Sequence, residues 1–221
     1  AEAARSGGAG LTHVSARGAD ENSPSVYART KAAGEKAVFE TIADAVIFRP
    51  SINFGPEDGF FNRFANMARF SPVLPLIGGG QNKFQPVYVG DVAEAVARSV
   101  DGNINGGQIY ELGGPQVLTF KECMQELLTV IERRRLLVPV PFWMANIQAS
   151  ILQLLPSPLL TKDQVEQLRE HNIVTDEAAK AGRTLTGLGI QPQALATILP
   201  SYLWRFRAAG QFQQRRPLAD R

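Results

Sequence analysis

The chain has 221 residues, of which 44% are hydrophobic and 20% charged, with a formal net charge of +2. That is the makeup of a globular protein with a real core, and it excludes disorder as the starting assumption. Scattered Arg and Lys without a basic stripe interleaved with aromatics exclude nucleic acid as a partner.

One cysteine, Cys123, cannot close an intramolecular disulfide, so the chain needs no oxidising compartment and fits a reducing cytoplasm or mitochondrial matrix. With two histidines, His13 and His171, there is no set of ligands at zinc spacing, and no metal site is expected. The opening "AEAARSGGAG" carries neither an initiator Met nor a secretory or transit pattern and reads as a piece that starts mid-protein.

In chain order, Ala1 to Arg5 read as the last turn of a helix stopped by "SGGAG". The run "LTHVSA" then gives a short strand that leaves Ser15 at its carboxyl end. His13 within it reads as a packing residue. Pro24 disfavours helix before it and permits one after it, which predicts a helix over about Ser25 to Thr41. "AVIFRPSINFG" is apolar without polar alternation, as in a strand covered on both faces, and is stopped by Pro50. Strand, helix, strand is a βαβ unit, which brings Ser15 and Pro50 to the one sheet edge where open α/β sheets bind ligands.

Beyond Gly55 the sequence predicts a helix in "GFFNRFANMARF" and an irregular Pro/Gly-rich passage "SPVLPLIGGGQ". A strand "FQPVYV", a helix with Asp91 as its N-cap, a strand "QIYELGG" and a helix from Thr119 to about Arg133 with a Thr119/Glu122 capping box follow. Residues 136–160 are the most apolar stretch, yet Pro139, Pro141, Pro156 and Pro158 leave only about 14 residues of helix where a bilayer needs about 20. Trp143, Ile147, Ile151 and Leu155 share one face there, and Asn146, Ser150 and Gln153 another. The segment reads first as a helix whose apolar face packs on its own domain, since its polar face carries no Lys or Arg to engage anionic lipid; the preceding "ERRR" keeps open a second reading, peripheral contact with a membrane or partner. It does not span.

Tyr27 and Lys31 stand four residues apart and therefore one above the other on their helix. A fixed cation beside a phenol draws its pKa down toward the working range, so the pair can donate and accept a proton. Ser15 supplies a hydroxyl on the same edge that can anchor a carbonyl. A proton donor and a carbonyl anchor beside a nucleotide site are what hydride transfer to a carbonyl requires. Arg49, Arg63 and Arg69 are weaker candidates for an anionic substrate, and Cys123 reads as a small buried hydrophobe.

"HVSA", "YARTKAAGEKAV", "IFRPSINFGPEDGFFNRF", "QPVYVGDVAEAV" and "YELGGP" together resemble the second half of an extended or atypical short-chain dehydrogenase/reductase. More narrowly they resemble the branch of nucleotide-binding accessory subunits of respiratory complex I and their bacterial relatives. The resemblance implies Ser15, Tyr27 and Lys31 as the catalytic Ser, Tyr and Lys, with Tyr27 and Lys31 also at the cofactor and Lys31 on the nicotinamide ribose. It further implies that Pro50, Ser51, Ile52 and Phe54 lie against the nicotinamide of NADP(H) or NAD(H). The family's Gly-rich strand-turn-helix phosphate loop is missing: "SGGAG" precedes a strand and "IGGGQ" follows an irregular passage.

The expected fold is therefore α/β: the C-terminal half of a Rossmann-type doubly wound parallel sheet (1–55) with an exposed strand edge, then a smaller, mostly helical substrate or interaction region (56–221). Dinucleotide binding by these 221 residues is expected to be weak. Three functions fit: an accessory protein with structural or slow cofactor use on the inner face of a membrane, partnered with a respiratory complex; a working oxidoreductase or epimerase on a sugar-nucleotide, steroid or other hydroxyl/carbonyl compound; or an assembly module.

Overall fold

The computed structural model describes residues 1–154, 160–208 and 210. The chain opens with a short helix α1 (Glu2–Ser6) and strand β1 (Thr12–Val14), followed by helix α2 (Val26–Thr41) and strand β2 (Val46–Pro50). Ser25 caps α2 by accepting from the Ala28 N–H, so the helix begins where Pro24 allows it to. After a two-residue strand β3 (Asn53–Phe54) come helix α3 (Phe61–Phe70), strand β4 (Val73–Ile77) and strands β5 (Lys83–Phe84) and β6 (Val87–Tyr88). Helix α4 (Val89–Val100), strand β7 (Gln108–Leu112), strand β8 (Leu118–Thr119) and helix α5 (Phe120–Val130) follow, the last with both arms of the Thr119/Glu122 capping box in place.

The central sheet is parallel with order β1-β2-β7. Its middle strand is covered on both faces, which explains its lack of polar alternation. Val46 and Phe48 pack with Tyr110, Leu112 and the α4 residues Val92 and Ala95, while Ile47 packs with Val38 and Ile42 around α2. Because β7 pairs with β2 along five residues, the sheet begun before residue 55 is completed by a strand beyond it. Among the described residues β1 has no strand on its outer side.

Two five-residue strands lie where sequence reading placed none. β4 pairs in parallel with β9 (Leu136–Val140), joining the Pro/Gly-rich passage to the start of the apolar stretch. Pro75 and Pro139 disguise them; a ribbon of two strands tolerates proline because each strand is an edge. "GGG" therefore does follow a strand, yet the chain turns through Gly78–Gly80 into β5 and not into a helix. A Cβ at Gly78 would stand 2.4 Å from the Phe142 ring, so the turn is packed over and cradles no phosphate.

The largest core gathers Phe54, Phe61, Leu74, Phe84, Phe120, Met124, Leu127, Leu199 and Leu203 between α3, α5 and α9 (Leu195–Leu203). Cys123 lies within it, fully buried, as a hydrophobe. Helices α6 (Phe142–Leu152), α7 (Lys162–Gln167) and α8 (Asp176–Lys180) complete the C-terminal region.

Two expectations need correction. Asp91 is not the N-cap of its helix, which starts at Val89 with Tyr88 before it; its buried carboxylate accepts from the Gln193 N–H at 2.7 Å and ties α4 to the segment leading into α9. Helix α6 does not turn its large apolar residues inward. Ala145 and Ala149 pack against Ile77, Val140 and Val165, whereas Trp143, Ile147, Ile151 and Leu154 are 63%, 56%, 66% and 82% exposed. The small inner residues let α6 lie close on the β4–β9 ribbon, and that close approach leaves the bulky stripe outside. Leu155 and the tail 211–221 lie outside the described residues.

Candidate functional site

The carboxyl edge of the sheet is where β1, β2 and β7 end in step. The Ser15 N–H donates to the Phe48 carbonyl at 2.7 Å, the Arg17 N–H to Pro50 at 2.8 Å and the Ser51 N–H to Leu112 at 2.9 Å. These bonds carry the parallel ladder one step past the strands and set Ser15 beside the Pro50–Ser51 turn. Along this edge runs a cleft of about 520 Å3. Ser15, Tyr27, Lys31, Pro50, Ser51 and Ile52 all line it.

Five of the six have side chains in distinct states. Ser15 is buried and its Oγ has no hydrogen-bond partner among the described residues, an orphan that a ligand oxygen or amide in the cleft would satisfy. Tyr27 is 44% exposed at the mouth, in the first turn of α2. The Lys31 ammonium stands over the Tyr27 ring, 5.7 Å from its centroid. Ser51 is spoken for: its Oγ donates to the Asn172 carbonyl at 2.9 Å and accepts from the Gln85 N–H at 3.3 Å. Ile52 is half-buried against the large aromatic core.

Phe54 is not brought to the cleft. Its ring is fully buried, edge-on to Phe61 and tilted against Tyr88, and it supports the loop from beneath. The electrostatics of Tyr27 also differ from expectation. Partial burial holds the phenol above its ordinary pKa, and the overlying ammonium does not bring it down. Burial lowers the His13 pKa, with Lys31 adding to the effect; the imidazole faces α2 beside Gly34, as a packing residue does.

The three arginines weighed for an anionic substrate do not line the cleft. Arg49 is held by Glu35 through two hydrogen bonds of 2.8 and 2.5 Å, and Arg69 lies over the Phe70 ring. Arg17 does line it, its Nε donating to the Ile173 carbonyl and facing Glu111 at 3.5 Å.

Sequence reasoning missed the contribution of the C-terminal region. Gln167, Glu170, His171 and Asn172 form one wall. The strap 171–175 is laced across the sheet edge: Asn172 N–H to the Lys83 carbonyl, Val174 N–H to the Gln85 amide oxygen, and Thr175 N–H and Oγ1 to the buried Glu111 carboxylate. Nothing local in "REHNIVT" announces this, because every bond is made to a residue far away in sequence.

Residues 10–113, which include Ser15, Tyr27 and Lys31, match the model of the NAD dependent epimerase/dehydratase family. The match covers a little under half of this chain and takes in helix α2 and strands β1, β2 and β7 of the central sheet. Over most of its length, the chain is 36% identical across 207 residues to the Arabidopsis thaliana mitochondrial NADH dehydrogenase [ubiquinone] 1 alpha subcomplex subunit 9, covering 89% of this chain and 50% of the relative. It is 32% identical over 197 residues to the Neurospora crassa mitochondrial NADH-ubiquinone oxidoreductase 40 kDa subunit, with the same two coverages. The chain thus spans about half the length of these two mitochondrial relatives.

Solved structures of the same fold include the Escherichia coli NADPH-dependent quinone oxidoreductase complexed with NADPH (TM-score 0.69, 19% identity, 91% of this chain, 68% of that one). Another is the Thermus thermophilus UDP-glucose 4-epimerase complexed with NAD (TM-score 0.62, 21% identity, 94% and 67%). The matched family is described as NAD dependent, and both of these solved structures hold a nicotinamide dinucleotide. Among the described residues no helix is long and apolar enough to cross a membrane.

Proposed function

We propose that this chain forms the nicotinamide half of a dinucleotide site in a protein of the complex I accessory-subunit type, where the cofactor is held structurally or turned over slowly. The observation that carries this reading is the meeting of Ser15, Tyr27 and Lys31 in the cleft at the ends of β1 and β2. The residues fit a nicotinamide riboside: an orphan hydroxyl at Ser15, a cation at Lys31 for ribose hydroxyls, and the Pro50–Ile52 turn as a flat support. A bound dinucleotide would supply or accept hydride.

In that arrangement Ser15 Oγ donates a hydrogen bond to a carbonyl oxygen and holds it beside the Tyr27 phenol. The phenol transfers its proton to that oxygen as hydride arrives, or takes it back in the reverse direction. Lys31 stabilises the phenolate that forms. Phe54 keeps the turn in place from below and does not touch the cofactor.

Binding of NADP(H) or NAD(H) by these 221 residues alone is weak, because the sequence holds no Gly-rich turn between a strand and a helix to receive the pyrophosphate. The exposed stripe of α6 supplies the contact with a membrane respiratory complex on its matrix or cytoplasmic side, a large apolar surface of the kind that marks interaction sites.

A second reading, a working oxidoreductase or epimerase on a hydroxyl or carbonyl compound, is favoured by the retention of all three chemical groups and by the open phenol of Tyr27. The test uses the full-length parent protein, purified natively: nucleotide is extracted and identified, and hydride transfer is assayed with and without Tyr27→Phe. Retained dinucleotide without Tyr27-dependent turnover supports the accessory reading. Exchangeable dinucleotide with turnover that collapses in Tyr27→Phe supports the enzyme.

A further inference from the structure

The helix that carries Tyr27 and Lys31 is held at its N-terminus from the other end of the molecule. Asp163, in the first turn of α7, presents its carboxylate to the start of α2. Its Oδ1 accepts from the Val26 N–H at 2.6 Å, and its Oδ2 accepts from the Ser25 hydroxyl at 3.0 Å and the Tyr27 N–H at 3.4 Å. The Gln167 side-chain amide donates to the same Oδ2 at 2.8 Å and steadies it. Helix α2 has no acidic residue in its own first turn, so Asp163 supplies the negative charge that the helix dipole favours and pairs two of its orphan N–H groups.

Local capping does not require this carboxylate, since Ser25 already caps α2 through the Ala28 N–H. What Asp163 adds is a second fixed point. The first is Glu35, eight residues further along α2, whose carboxylate grips Arg49 on β2. At 1.5 Å per residue the two points are about 12 Å apart, so a tilt of roughly 10° about the Glu35 anchor would carry Tyr27 by about 2 Å. A displacement of about 1 Å is enough to disable a positioned catalytic group.

The same short helix α7 packs Val165 into the cluster of Ala145 and Ala149 of α6; it ends at the cleft residue Gln167, and just beyond it lie Glu170, His171 and Asn172, which also line the cleft. Arg169 lies over the Phe142 ring of α6 at 4.3 Å.

We infer that Asp163 is a positioning residue for the cleft, through which the α6–α7 pair of the C-terminal region sets where Tyr27 and Lys31 stand relative to Ser15. This rests on the reading of the cleft as the nicotinamide site. It goes beyond that reading in making the site dependent on a residue from the C-terminal region that touches neither cofactor nor substrate.

The test is a double-mutant cycle on NADPH and NADH affinity, measured by titration of the full-length parent protein with Asp163→Asn, Lys31→Met and both together. Positioning through α2 predicts that Asp163→Asn weakens binding about 5- to 10-fold. It also predicts that Lys31→Met costs several-fold less in the Asp163→Asn background than alone, because the ammonium is already misplaced. A purely structural cap lowers the melting temperature but leaves affinity within about twofold or gives multiplicative losses, and either result overturns the inference while leaving the cleft reading intact. If Lys31→Met alone leaves affinity unchanged, the cleft reading falls and this inference with it. Should Asp163→Asn fail to fold, Asp163→Glu, which keeps the charge but shifts the carboxylate by one methylene, completes the same cycle with the same outcomes.

Discussion

Glu35 on α2 and Arg49 on β2 form a two-pronged ion pair beneath the cleft, with the carboxylate 5% and the guanidinium 19% exposed at the side chain. Arg49 shares its side of β2 with Ile47, the side that α2 covers, so the pair pins the middle of the Tyr27 helix to the sheet. Arg49→Met leaves a buried carboxylate without its partner and is expected to cost about 3–5 kcal/mol, whereas Glu35→Met with Arg49→Met recovers much of that loss. Urea melts of the three variants check this; equal losses in the single and double variants would show that the pair does not act as a unit.

Cys123 is fully buried in α5, and burial pushes its thiol up to about 12. The native thiol should therefore resist an aromatic disulfide reagent at pH 8 and react as one thiol per chain after unfolding. Rapid labelling of the native protein would mean that α5 is not packed as described.

Tyr27 is held above its ordinary pKa by partial burial. Without dinucleotide, its phenol should titrate above about 10 in a carbon-13 NMR titration, with Tyr27→Phe assigning the signal. Since the unfolded chain ionises first, this group's effect on stability is absent below about pH 10 and becomes unfavourable as pH rises through the folded value. A midpoint below 10 would show that Lys31 outweighs burial.

The outer face of α6 should accept charge. Ile147→Lys with Ile151→Lys is expected to change stability by no more than about 0.5 kcal/mol per site and, under the proposed accessory role, to weaken co-sedimentation with a membrane respiratory complex. Ala149→Leu, on the inner face, is expected to cost about 1–3 kcal/mol by overpacking against Ile77 and Val165. The opposite ranking in thermal melts would reverse the assignment of the two faces.

Much of the fold was legible because its signals are local. Ser25 and Thr119 cap the helices that follow them, Pro24 fixes where α2 starts, and the apolar run of β2 reports a strand covered on both sides. The spacing of Tyr27 and Lys31 placed them on one helical face, and the βαβ pattern brought Ser15 and Pro50 to a shared edge. By contrast, β4 and β9 carry prolines that read as breaks, and only their mutual pairing shows that they are strands.

Sequence by itself determined the parallel βαβ frame and the three chemical groups of the cleft, since periodicity, capping and turn chemistry act over a few residues. Only the tertiary structure decided three other matters: that Phe54 supports the site from the core, that α6 turns its bulky residues outward, and that Asp163 reaches Tyr27's helix from 136 residues away. Each depends on which surfaces meet after the chain has collapsed. Burial and long-range hydrogen bonds are settled by that packing, and no local pattern of residues encodes them.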